Sequence, residues 1–249
     1  KAGFHPKKII FEGVGKSKED IEYAINKKIL LINIESFEEL EIINSIGKEL
    51  NKKIDIGVRF NPNINSQSIK KISTGNKTDK FGVDLKCVKQ IVSKINSYSN
   101  INLKGISCHV GSQISNIKVF KHTFLKMKNV ASFLISKNFK LEYVDLGGGF
   151  PVNYNDKKNT FDLKSIGKLV NSIFKNTPYR TSFEPGRFII AKAGILITKI
   201  LTTKKNGGIN FLITDAGMHT FIRPAMYESY HNIKALNNLK SEKISYTIA

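Results

Sequence analysis

Four short stretches of this sequence carry residue types and spacings suited to chemistry. Glu184-Pro185-Gly186-Arg187 sets a carboxylate, a stiffened backbone, a bare backbone N–H and a guanidinium in succession. Such a turn can present all three polar groups to the same small anion, and Arg187 either pairs with it bidentately or makes a surface ion pair. Gly147-Gly148-Gly149, between Asp145 and Phe150-Pro151, lacks side chains. Its N–H groups can approach a phosphate closely, or the glycines serve a tight turn that needs positive φ. His109 stands just before Gly111-Ser112 at the end of an apolar run. That position favours a functional imidazole over a satisfied core histidine. Ser112 offers its hydroxyl either to a phosphate or to a helix N-terminus. Arg59 closes a further apolar run, ahead of Phe60-Asn61-Pro62.

Elements that position these residues are legible in the apolar pattern. Runs at 9–11, 29–34, 54–60, 103–110, 141–146 and 181–183 read as strands. Between them, apolar residues recur at helical spacing: Ile21, Ala24 and Ile25; Leu40, Ile43, Ile46 and Leu50; Val88, Ile91, Val92 and Ile95; Phe120, Phe124, Met127, Ala131 and Leu134; Ile166, Leu169, Val170 and Ile173. Ser17 with Asp20 and Ser36 with Glu39 read as capping boxes, and Asp84 as an N-cap. Repeated strand–loop–helix order predicts an α/β fold with parallel strands, a (β/α) TIM-type barrel over 1–190. In such a barrel chemistry sits on the loops after the strands. Arg59, His109, the three glycines and Glu184 all fall at or just after strand C-ends. From 191 to 249 the texture changes. Runs at 195–201 and 209–213 flank Asn206-Gly207-Gly208 and predict a hairpin, the start of a C-terminal β domain.

Composition narrows the function classes. The chain has 249 residues, 41% hydrophobic, enough for a sizeable core. No apolar run reaches bilayer length and the first residues do not form a signal peptide, so the expectation is a soluble, cytoplasmic protein without a membrane partner. Two cysteines, Cys87 and Cys108, make no disulfide framework, and Cys108 reads as a buried thiol rather than a reactive one. The net charge of +20 would suit nucleic acid, but the lysines are spread along the chain without a dense aromatic-laced stripe. Nucleic-acid binding is therefore not expected, and the positive field favours small anions. The remaining histidines lack metal-ligand spacing, so no metal site is expected.

Together the turns resemble the barrel-fold, alanine-racemase-like family of pyridoxal-phosphate decarboxylases. The resemblance is carried by His109-Val-Gly-Ser-Gln113, Asp145-Leu-Gly-Gly-Gly-Phe150, Glu184-Pro-Gly-Arg187, Asp215-Ala-Gly-Met218 and Arg223-Pro-Ala-Met-Tyr227, with Ile72-Ser-Thr-Gly75 and Lys80-Phe-Gly82 in addition. The block from Arg223 to Tyr227 resembles the diaminopimelate branch more than the ornithine or arginine branches.

This resemblance implies pyridoxal 5′-phosphate as cofactor and decarboxylation of meso-2,6-diaminopimelate to L-lysine and carbon dioxide. Glu184 would face the cofactor's ring nitrogen, His109 would stack on the ring as the catalytic-site histidine, and Arg59 would approach the 3-hydroxyl. Ser112, Gly147, Gly148, Gly149, Pro185-Gly186 and the Arg187 backbone would hold the phosphate. The Arg187 side chain, Arg223 and Tyr227 would read the substrate's far end. A homodimer sharing its active sites is implied as well. The family's Schiff-base lysine, in a Tyr-Ala-x-Lys-Ala-Asn context, occurs nowhere in this sequence, nor does its Cys-Glu-Ser-Gly-Asp motif. The resemblance thus implies a fragment lacking both ends, with an open barrel, that by itself neither folds well nor decarboxylates. Open alternatives are a related decarboxylase of a basic amino acid or polyamine precursor, and a non-catalytic cofactor-binding homologue.

Overall fold

A computed structural model of the chain describes residues 2–66, 74–154, 161–236 and 244–249. Of the Ile72-Ser-Thr-Gly75 stretch, Ile72 and Ser73 lie outside the described residues. The chain divides into two compact units, Lys1–Pro151 with Phe161–Phe188, and Val152–Thr160 with Ile189–Ala249.

The first unit is built on one sheet of six parallel strands in sequential order: β1 (Ile10–Phe11), β2 (Leu31–Ile34), β3 (Ile54–Arg59), β4 (Ile101–Ser107), β5 (Tyr143–Gly148) and β6 (Arg180–Glu184). Helices α1 (Lys18–Asn26), α2 (Phe37–Glu49), α3 (Leu85–Ile95), α4 (Ile117–Ser136) and α5 (Leu163–Phe174) fill the five crossovers. Six parallel strands in chain order, each joined to the next through a helix, form an incomplete (β/α) barrel, two strands short of the eight of a closed one. The driving force is burial of the isoleucine- and valine-rich strands beneath the helices. Ile34, Ile56, Val58 and Val144 on the strands are fully buried, as are Ile21, Leu40, Ile43, Ile46, Val88, Ile91, Phe124 and Met127 on the helices.

Local signals set the boundaries. Ser17 and Asp20 form the reciprocal capping box of α1. Asp84 caps α3 by accepting the Cys87 N–H. Ser36 caps α2 through the Glu39 N–H, but the expected second half of that box does not form. The Glu39 carboxylate instead accepts the Glu35 N–H at 2.7 Å and pairs with Lys16 Nζ at 2.7 Å. A tertiary partner outcompetes the local one.

Strand β4 ends at Ser107 rather than at 110, so Cys108 to Val110 belong to the turn. Strand β5 runs on into Gly148. The second unit contains the hairpin of β7 (Ile200–Asn206) and β8 (Ile209–Thr214), antiparallel, with Asn206 opposite Ile209 across Gly207-Gly208. Both glycines have positive φ (54° and 80°), as a two-residue turn matched to strand twist requires. The short strand β9 (Thr247–Ile248) adds to β8 in parallel. No helix among the described residues is long and apolar enough to cross a membrane.

Candidate functional site

The C-terminal ends of the six parallel strands carry a polar layer. Glu12 follows β1, Glu35 follows β2, Arg59 ends β3, His109 follows β4, Asp145 lies in β5 and Glu184 ends β6. Apolar strands drive these ends together, and hydrogen bonds then order them.

His109 and Glu184 meet: Nδ1 and Oε2 are 3.7 Å apart. The Gly148 N–H donates to His109 Nδ1 at 3.1 Å, and the Thr74 hydroxyl donates to the His109 carbonyl at 2.8 Å. Burial, with the Arg59 charge, lowers the His109 pKa to about 4, so the imidazole is neutral at neutral pH. Burial also pushes Glu184 up to about 8, reinforced by the negative charges of Asp145 and Glu12 and opposed by Arg59. The contact between His109 and Glu184 at pH 7 is thus one of neutral groups. Each waits beside the other without an ion pair.

Close backbone approach explains the triple glycine. A Cβ on Gly147 would lie 2.2 Å from the Cys108 carbonyl oxygen, one on Gly148 2.0 Å from that of Glu184, and one on Gly149 2.4 Å from that of Gly111. The three glycines therefore clamp the β5 end against the His109 turn on one side and the β6 end on the other. Two of their three N–H groups are committed internally, that of Gly147 to Asp145 Oδ1 at 2.8 Å and that of Gly148 to His109. Ser112 is half-buried and caps no helix; the cap of α4 is Asn116.

Arg59 sits in a cage. Its Nη1 is 3.0 Å from Glu35 Oε1 and 3.9 Å from Glu12 Oε2, and its guanidinium lies 5.0 Å from the Phe81 ring centroid. Glu35 also accepts the N–H groups of Gly13 at 3.1 Å and Gly82 at 3.0 Å. Phe81 and Gly82 of the Lys80-Phe-Gly82 stretch thus serve to hold Arg59 in place. Glu12 in turn accepts a hydrogen bond from the Asn33 amide, and burial raises its pKa. Cys108 is fully buried, which pushes its thiol well above the usual range; it is inert.

Pro185 follows β6, and Gly186 and Arg187 open a five-residue helix, α6 (Gly186–Ile190), where sequence patterning indicated only a turn. Arg223 and Tyr227 belong to the second unit, at the two ends of α7 (Arg223–Tyr227). There the Arg223 guanidinium lies 5.8 Å from the Tyr154 ring and 5.7 Å from the Tyr227 ring, with Nη2 donating to Ser229 at 3.2 Å and Nε to His231 at 3.4 Å. Glu12, Glu35, Asp145 and Asn33 are parts of the polar layer to which sequence reasoning gave no role. The signal was present for Glu12 and Glu35, which follow apolar strands, the criterion that singled out Arg59 and His109; Asp145 and Asn33 lie within theirs.

Comparison with known proteins identifies the family. A family model described as pyridoxal-dependent decarboxylase, pyridoxal binding domain, matches residues 1–191. Diaminopimelate decarboxylase of Aquifex aeolicus is 34% identical over 244 residues, 98% of this chain and 58% of that protein. That of Haemophilus influenzae is 36% identical over 248 residues, 99% of this chain and 60% of that protein. The crystal structure of diaminopimelate decarboxylase from Helicobacter pylori complexed with L-lysine superposes with a TM-score of 0.90 at 35% identity, covering 96% of this chain and 60% of that one. The chain thus spans about 60% of the length of these relatives.

Proposed function

The chain belongs to the family of pyridoxal-dependent decarboxylases, and from that premise we propose that it takes part in decarboxylating meso-2,6-diaminopimelate to L-lysine and carbon dioxide. The observation that carries the proposal is the meeting of His109 and Glu184 at 3.7 Å, made possible by three glycines that let the β5 end close against the His109 turn and the β6 end. A flat neutral imidazole beside a carboxyl whose side chain is 39% exposed fits an aromatic ring with a basic nitrogen.

When bound, pyridoxal phosphate supplies an electron sink for the pair left as carbon dioxide departs. Glu184 would hold the ring nitrogen through a shared proton. A carboxyl with a pKa near 8 keeps that proton in the site at neutral pH. His109 would lie against one ring face; being neutral, it would not repel a protonated ring. Arg59, fixed by Glu35 and Phe81, would supply the cation on the 3-hydroxyl side. Ser112, Gly149, Gly186 and the Arg187 N–H would hold the phosphate. Gly147 and Gly148 contribute close approach rather than free donors, since their amides are engaged.

Candidates for reading the far carboxylate of the substrate are Arg187 in the first unit and, separately, Arg223 with Tyr227 in the second. Arginine suits that group, and substrates without it should be rejected. We assign the cofactor-binding barrel to 1–190 and the β domain to 191 onward, although the compact units group 152–160 and 189–190 with the second. We further place the protein in the cytoplasm as a homodimer. The test is release of lysine and carbon dioxide from meso-diaminopimelate by the full-length protein loaded with pyridoxal phosphate. Equal turnover of ornithine or arginine, which lack the distal carboxylate, would refute the substrate assignment.

A further inference from the structure

We propose that Asp145 is a positioning residue for this reaction: its carboxylate, fixed on the same face of the sheet as Glu184, strengthens the hold of Glu184 on the proton it shares with the cofactor's ring nitrogen. The proposal rests on the reading of Glu184 as the acid that faces that nitrogen.

The geometry comes from the pairing of β5 and β6. Asp145 stands opposite Ser182, and Gly148 stands opposite Glu184, with an irregularity in register between them. Three steps along β5 therefore match two along β6, which is a bulge. Side chains two residues apart on a strand share a face, so Ser182 and Glu184 point the same way. The Ser182 hydroxyl donates to Asp145 Oδ2 at 2.6 Å, which places the Asp145 carboxylate on that face too. The bulge itself is closed by the Gly147 N–H, which donates to Asp145 Oδ1 at 2.8 Å. Both oxygens of a buried side chain, 7% exposed, are thus engaged, one by each strand. The proposed chemistry gives Asp145 itself no contact with cofactor or substrate.

Other charged and titratable groups act on Glu184. Glu12 adds negative charge from the end of β1, Arg59 adds positive charge from β3, and Cys108 and His109 of the β4 turn are both neutral. After burial, Asp145 is the leading contributor to the raised proton affinity of Glu184. A nearby like charge disfavours ionisation of a carboxyl.

The test is a carbon-13 NMR titration of the Glu184 carboxyl in the full-length, cofactor-free protein, with Asp145→Asn and Asp145→Glu as variants. Asp145→Asn should lower the Glu184 midpoint by about one pH unit or more, and Asp145→Glu should leave it near the parent value. If Asp145→Asn does not fold, Asp145→Ser replaces it, with the same expected fall. An unchanged midpoint in the charge-free variant overturns the proposal, as does an equal fall in Asp145→Glu. A parallel titration of bound pyridoxal phosphate by its absorption should show the loss of the ring proton at lower pH in Asp145→Asn. Failure of the cofactor to bind would refute the reading of Glu184, whereas the NMR midpoints judge Asp145 independently of it.

Discussion

Arg59 Nη1 lies 3.0 Å from Glu35 Oε1, and the two side chains are 11% and 3% exposed. They stand at the ends of adjacent strands, so the pair ties the loops after β2 and β3 to each other. Through the Gly13 N–H Glu35 draws in the loop after β1, and through the Gly82 N–H it holds the far end of the loop after β3. Breaking a buried pair from one side leaves an uncompensated charge. Arg59→Met should therefore cost about 3–5 kcal/mol in urea unfolding, since it strands Glu35 and leaves Glu12 without its cation.

Lys16 and Glu39 form a second pair of this kind, at 2.7 Å with Lys16 1% exposed. Gly15-Lys16-Ser17 has the look of a phosphate-binding loop, but the ammonium is taken up by Glu39 and the Gly13 carbonyl. Lys16→Met should destabilise by about 3–5 kcal/mol. Inorganic phosphate should give the parent protein no Lys16-dependent protection against thermal unfolding.

Glycine substitutions separate two kinds of site. Gly147 has φ +71° and no room beside Cys108, so Gly147→Ala should cost more than the roughly 1–3 kcal/mol of left-handed strain alone. Gly149→Ala should behave alike, with φ +86° and the Gly111 carbonyl in the way. Gly167 lies within α5 with nothing near its absent Cβ. Gly167→Ala should stabilise by about 0.5–1 kcal/mol. Chemical denaturation of the three variants reads all of these.

The pH dependence of stability follows from two opposite shifts. Glu184 keeps its proton up to about pH 8 in the folded chain but releases it near 4.5 when unfolded, so its effect is a loss of stability as pH rises through that window. The advantage of Glu184→Gln over the parent should therefore grow between pH 4.5 and 8. His109 stays neutral down to about pH 4 when folded but takes a proton near 6.5 when unfolded, so stability is lost as pH falls from 6.5 to 4. His109→Gln should gain on the parent over that lower range. Melting temperatures measured across pH 4–8.5 check both signs.

Strands and long helices were legible because burial of an apolar face imposes a period on the chain, and Ser17, Asp84 and Gly207-Gly208 act on their own neighbours. The meeting of His109 and Glu184 was legible because both follow apolar strands. The charged network around Arg59 was not. Whether Glu12, Glu35 or Lys16 faces water or the interior depends on partners 22 to 47 residues away, as the bonds of Glu35 to Gly13 and Gly82 demonstrate. The same tertiary competition drew Glu39 out of its expected capping box. Helices α6 and α7 are too short to leave a period.

The bond from Gly148 to His109 also decides what the imidazole can exchange. An N–H donor needs a lone pair, so Nδ1 is the bare nitrogen and the hydrogen sits on Nε2. The tautomer is thereby locked by main chain that cannot rotate away, and the path from Nδ1 to Glu184 is closed to proton relay. Any hydrogen that His109 gives up must leave through Nε2, and a nitrogen-15 spectrum of the ring would display that asymmetry directly.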